Sequence, residues 1–225
     1  MKHPLQTRAS GFTLVEIAIV LVIIGLLLGG VLKGQELIDS ARIKSGLNDI
    51  NSLGVAYNAY VDRFHSLPGD DGGAAGSLAS LQSRGGSWAG VTESGNNDGV
   101  IGVTQAQVFT AGGEAPAFWQ ALKAGGFIAG NPADTGVAAL PRNAFNGLIG
   151  VGPGVTSAAG AAALSVCLSQ VPGKAARAID TQFDDGLPDR GSVLATQATA
   201  GANTAPGTAA TSYSDDNQYT VCRSL

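Results

Sequence analysis

Glu16 poses the sharpest chemical question in the chain. It lies in FTLVEIAIVLVIIGLLLGGVL (residues 12–32), a 21-residue apolar block interrupted only by Thr13 and Glu16 itself. A carboxylate in a membrane helix costs on the order of several kcal/mol unless it is paired. Glu16 therefore calls for a cationic partner. The blander alternative is a side chain near the interface that reaches the headgroups and needs no partner.

Other chemistry is thinly supplied. The only histidines are His3 and His65, too few for a histidine-based triad or zinc centre. Gly150-Val151-Gly152-Pro153-Gly154 lacks the Lys-Ser/Thr of a phosphate loop. Asp180, Asp184, Asp185 and Asp189 cluster in one Gly-containing stretch, and Asn96, Asn97 and Asp98 in another. Oxygen-rich loops of this kind can hold calcium, but neither stretch matches the twelve-residue EF-hand pattern. Solvated turns with side-chain to backbone bonds are the competing reading, and the one favoured here. No cofactor is expected. Trp88, Phe118, Trp119 and Phe127 read as core.

Elements must hold these residues in place. Twenty-one residues of helix span about 30 Å, the thickness of the hydrocarbon layer. Lys2 and Arg8 precede the block, so the N-terminus is expected inside and the remainder outside. Past Lys33 and Glu36 the pattern turns amphipathic. Ile43, Leu47, Ile50, Leu53, Tyr57, Val61 and Phe64 recur at steps of three or four. Nothing breaks the helix before Pro68, which disfavours helical dihedrals at Leu67. The spacing predicts one helix from about Thr13 to about His65, roughly 75 Å long. Its second half can pack on a domain. Its first half must find lipid or other copies of itself.

After Pro68 the signals shorten. PGDDGG and ESGNNDG read as turns. Residues 100–109 suggest a strand, and residues 116–130 a short helix with Pro116 near its start. Residues 144–152 suggest a strand pair or a strand with a bulge. Residues 161–171 fit a helix or a buried strand. Residues 183–191 read as a turn-rich loop, 195–212 as low-complexity flexible surface, and 217–223 as a final strand. The chain has 33 glycines, which favours turns over further helix.

The formal net charge is −4, and no basic run with interleaved aromatics occurs, so direct nucleic-acid binding has no positive signal. Cys167 and Cys222 are the two cysteines. If the domain is exported, a disulfide is the default. Closing a loop of about 55 residues is worth roughly 4 kcal/mol in the chain-entropy model. Two unpaired core cysteines are the alternative.

Ser10-Gly11-Phe12-Thr13-Leu14-Val15-Glu16, followed by the apolar run, resembles the class III signal sequence of the type IV prepilin family. That family includes pilins and the pseudopilins of type II secretion and competence. The resemblance implies cleavage by an aspartyl prepilin peptidase between Gly11 and Phe12, then methylation of the new amine on Phe12. Gly11 suits such a site because it has no side chain to obstruct a narrow cleft. Cutting before the apolar block retains the anchor, whereas an ordinary signal peptide loses it. In the family the matching glutamate pairs with the N-terminal amine of a neighbouring subunit, a role that falls to Glu16 here.

The resemblance also implies an α+β fold, with the long helix packed on a small antiparallel sheet. Residues 1–11 would be the leader, 12–33 the membrane and assembly segment and 34–66 its amphipathic continuation. Residues 67–225 would form the head, with a disulfide region at its C-terminal end. Expected partners are the inner membrane, the prepilin peptidase, the assembly machinery and other pilin copies, alike or different. The precursor would sit in the bacterial inner membrane and the product in a periplasmic or extracellular filament. Some secretion pseudopilins bind calcium in a C-terminal loop, which is why the aspartate cluster stands as a candidate. Many pilins carry a proline near the position of Lys33, and this chain does not. The function implied is structural, not enzymatic. A pilin, a secretion pseudopilin and a minor pilin share the motif. A monomeric membrane-tethered binding domain is the alternative of another class. Adhesion, motility, DNA uptake and secretion all stay open at this point.

Overall fold

The computed structural model describes residues 11, 13–73, 75–110, 112–157 and 163–225. The chain divides into two compact units, Met1–Ala41 and Arg42–Leu225.

Helix α1 runs Leu14–Phe64. In the second unit its buried residues are Gly46, Ile50, Leu53, Ala56 and Tyr60, again at steps of three and four. Ile50 and Leu53 belong to both the expected stripe and the contact line, whereas Gly46, Ala56 and Tyr60 lie one position before the expected Leu47, Tyr57 and Val61. Ile43, Leu47, Tyr57 and Phe64 flank it and are partly buried. Small residues on the line explain the offset. A Cβ on Gly46 would sit 3.3 Å from both Ile179 and Phe145, so the helix backbone approaches the core closely there. The helix ends where His65 takes a left-handed conformation, φ 54°. The His65 N–H donates to the Val61 carbonyl at 2.8 Å.

The segment after α1 is buried rather than solvated. Asp70 and Asp71 are only 4% and 2% exposed. Asp70 accepts the Asp98 and Gly99 N–H groups at 3.0 and 2.8 Å. Asp71 accepts the Tyr60 hydroxyl at 2.6 Å and a two-pronged Arg84 at 2.9 and 3.2 Å. The Arg84 guanidinium also lies over the Phe64 and Trp88 rings, 4.7 and 4.6 Å from their centroids. Burial and the Asp71 carboxylate push the Tyr60 hydroxyl pKa upward. A paired, hydrogen-bonded buried charge of this kind fixes how the chain leaves the helix.

Two short helices follow, α2 (Leu78–Gln82) and α3 (Ala115–Ala124). α3 is buried along its whole length, with Phe118 and Trp119 fully enclosed. Its Gln120 has no exposed surface, but it bonds to Thr92, Glu93 and Asp134. Residues 100–109 do not form the expected strand. They hold a 3₁₀ turn, Gln105–Gln107, started by a reciprocal Thr104/Gln107 cap.

The sheet contains β1 (Ile149–Pro153), β2 (Leu164–Pro172), β3 (Val193–Ala198) and β4 (Gln218–Ser224). Its order is β1-β2-β4-β3, and each neighbouring pair is antiparallel. β2 resolves the ambiguity over 161–171 in favour of a buried strand, with residues 161 and 162 outside the described residues. A register shift between Leu168 and Val171 accompanies Gln170 at φ 58°. Helix α4 (Gly173–Phe183) was not foreseen. Ile179 is the one large residue among its buried positions, so its apolar stripe is faint.

The stretch 195–212 is not a free surface loop. Its first residues belong to β3. Farther on, the Ala210 N–H donates to the Ala195 carbonyl at 2.8 Å, and the Gly207 N–H to Thr196 Oγ1 at 3.0 Å. Backbone bonds, not side-chain bulk, hold this Thr/Ala/Gly segment, and composition does not report them. The result is α+β and pilin-like: a long N-terminal helix packed with a small four-stranded antiparallel sheet.

Candidate functional site

The start of α1 is built around Thr13 and Glu16. The Thr13 N–H donates to Glu16 Oε2 at 2.8 Å, and the Thr13 hydroxyl donates to the same oxygen at 2.9 Å. In return the Glu16 N–H donates to Thr13 Oγ1 at 3.2 Å. This is a capping box, in which two otherwise orphaned helix N–H groups find side-chain acceptors. It places the carboxylate at the positive end of the helix. Glu16 Oε1 accepts no hydrogen bond among the described residues, so one oxygen remains for a cation. Thr13-x-x-Glu16 is a sequence signature of such a box, and reading Glu16 only as a charge in an apolar block overlooks it.

Gly11 is exposed and lies before the helix start, and Phe12 lies outside the described residues. Downstream, α1 contains an 18-residue stretch apolar enough to cross a membrane, and none of it is buried. Leu14, Leu21, Leu26 and Leu32 are all exposed. Among the described residues, nothing in the chain covers this surface.

A family model for the prokaryotic N-terminal methylation motif matches residues 6–32. This motif, a class III signal sequence, is characteristic of type IV pilins and pseudopilins. The match takes in the apolar stretch of this pilin-like chain and stops before Lys33. No curated protein matches the chain.

The cysteines of the pilin-like head meet. Cys167 on β2 and Cys222 on β4 face each other directly in the ladder and are joined by a disulfide, with Cα atoms 4.0 Å apart. The bond staples the two central strands.

The aspartate cluster does not converge. Asp180 points into the core from α4 and accepts the Tyr213 hydroxyl at 2.7 Å and the Gly186 N–H at 3.1 Å. Asp184 accepts the Ser192 and Val193 N–H groups. Asp185 accepts the Leu187 N–H at 2.9 Å, and Asp189 accepts Arg190 Nε–H at 3.2 Å. Asn97 accepts the Gly72 N–H at 2.7 Å, and Asp98 accepts the Val100 N–H at 2.9 Å. These carboxylates and amides hold turns. Among the described residues no three His, Cys, Asp or Glu side chains gather as a metal site.

Asp180 gives the head a pH dependence. Burial raises its pKa to about 6, against the opposing pull of the Tyr213 and Gly186 bonds. The folded state therefore holds this proton more tightly than the unfolded chain does. The group's contribution is fully present below about pH 4, the unfolded value, and is lost as pH rises toward 6. Asp180→Asn removes the titration and keeps a similar shape. Urea midpoints from pH 4 to pH 7 are expected to lose a downward slope worth about 1–3 kcal/mol relative to wild type. An unchanged slope would show that Asp180 is not the source.

Proposed function

We propose that this chain is a structural subunit of a type IV pilus-like filament. A prepilin peptidase removes residues 1–11, and the retained helix polymerises. The observation that carries the reading is the Thr13/Glu16 box at the head of an unburied apolar helix that bears the methylation motif. Cleavage before Phe12 creates an amine next to that box. Docking brings the Phe12 amine of one subunit to Glu16 of another, in surroundings too poor in water to leave either charge alone. Before cleavage no such amine exists, so processing licenses assembly. The apolar surfaces of many α1 helices then cover one another, at about 25 cal/mol per Å² removed from water. The disulfide-stapled heads coat the outside. The precursor waits in the inner membrane with its N-terminus inside.

The test is to express the full chain with a prepilin peptidase and pilus machinery, shear the cells, and sediment. Processed chain in filaments supports the reading. Processed chain confined to membranes as a monomer overturns it. The motif serves pilins and secretion pseudopilins alike, and electron microscopy separates them: long surface filaments mark a pilin, short periplasmic ones a pseudopilin.

A further inference from the structure

Beside the second half of α1 the head carries a small open cup of about 150 Å³. Leu53 of α1, Ile128 after α3, Pro141 and Ile149 of β1 give it apolar walls. Asp49 and Ser52 of α1 are its polar side chains. The Ser52 hydroxyl donates to the Asp49 backbone carbonyl at 3.1 Å, which leaves its own oxygen free to accept. Asp49 is half-buried, yet among the described residues its carboxylate accepts no hydrogen bond and joins no ion pair. Burial pushes its pKa upward, and no cation opposes the shift. Other enclosed acids of the head are answered: Asp71 by Arg84, Asp180 by Tyr213, Glu114 by the Gly102 N–H. Asp49 alone among these carries the cost of partial burial without a partner. Every residue of the cup lies within the unit Arg42–Leu225.

We propose that this cup receives a lysine side chain from a partner protein. Its volume has room for about five non-hydrogen atoms, at roughly 30 Å³ each, the share of a water in the liquid. A lysine side chain is four methylenes and an ammonium. The stem would lie along Leu53, Ile128, Pro141 and Ile149, and the ammonium would meet the Asp49 carboxylate and Ser52 Oγ. The open mouth leaves a further ammonium proton for water, which suits a strongly hydrated cation. Arginine is bulkier, and its planar fork asks for two carboxylate oxygens side by side. An uncharged stem would fill the cup but leave Asp49 unanswered. The chain has a formal net charge of −4, so a second copy is repelled while a basic partner is attracted. The inference stands apart from the filament reading, because it uses the head alone.

The test uses the full chain in detergent micelles, with leucine and isoleucine methyl groups followed by NMR. The probe is a capped pentapeptide, Ala-Ala-Lys-Ala-Ala. It should move the methyls of Leu53, Ile128 and Ile149 saturably, with a Kd on the order of millimolar, as befits so few buried ligand atoms. Asp49→Asn should weaken binding by about fivefold or more, and so should norleucine in place of the peptide's lysine. The Asp49 carboxylate makes no bond, so the variant should keep the wild-type melt and the Cys167–Cys222 bond. Absence of saturable movement, or unchanged affinity in Asp49→Asn, overturns the proposal. Equal binding of the norleucine peptide makes the cup a plain apolar groove, and tighter binding of the arginine peptide makes it a guanidinium site. Binding of n-butylamine where the lysine peptide fails makes it a site for a free amine. Movement of the same methyls as the chain alone is concentrated hands the cup to a second copy. Each of these results also overturns the lysine partner.

Discussion

Glu16→Ala is expected to insert and be cleaved normally, yet to enter filaments at least about tenfold less than wild type. The effect follows from the proposed pairing, because the variant would leave the Phe12 amine of a neighbouring subunit without its counter-charge in the filament core. The structure adds a complication that a charge argument alone misses. Glu16 also caps its own helix through Thr13. Losing a cap is worth about 1 kcal/mol, so some of the defect in the alanine variant would be a frayed helix start. Glu16→Gln separates the two effects. Glutamine serves in a capping box but carries no charge. Glu16→Gln is expected to assemble nearly as poorly as Glu16→Ala. Assembly at the wild-type level by Glu16→Gln would leave Glu16 as a cap and remove the charge pair.

The second large effect is on the head. Removing the disulfide with Cys167→Ser/Cys222→Ser frees a cross-link that spans 55 residues of sequence. The loop model sets the cost at roughly 4 kcal/mol. For a domain of this size that lowers Tm by about 8–16 °C. Both sulfurs are buried between the central strands, so the serines would add the smaller cost of enclosed hydroxyls. Thermal melts of the soluble head with and without the pair give the answer. A shift below ~2 °C would mean that the strands hold themselves, leaving the C-terminal strand no need of its staple.

The two ends of the chain differed in how much their residues disclosed. A long helix was readable because twenty-one apolar residues and a stripe at steps of three and four leave few other choices. Cys167 and Cys222 were readable as a pair because no third cysteine competes. The head resisted for three physical reasons. Gly46 and Ala56 mark the real contact line of α1 by being small, and hydrophobicity is blind to that signal. α4 carries only Ile179 as a large buried residue, too little for a visible stripe. Residues 100–109 have strand-like composition, but the Thr104/Gln107 cap turns them into a 3₁₀ start, a local bond overriding propensity. The same oversight occurs at the candidate site, where Thr13 and Glu16 form a second box of the same kind. Asp70 and Asp71 show the converse: polar turn residues whose bonding partners, Asp98, Gly99, Tyr60 and Arg84, are distant enough in sequence to hide their burial.

Mass spectrometry of the N-terminal peptide of the mature protein bears on all of this at once. In the proposed filament the carboxylate at the mouth of α1 pairs with a terminal amine that cleavage before Phe12 would expose. A peptide beginning at Phe12 with a methylated amine is the predicted result. A working protein that still begins at Met1, or one trimmed beyond the apolar stretch, would contradict the account.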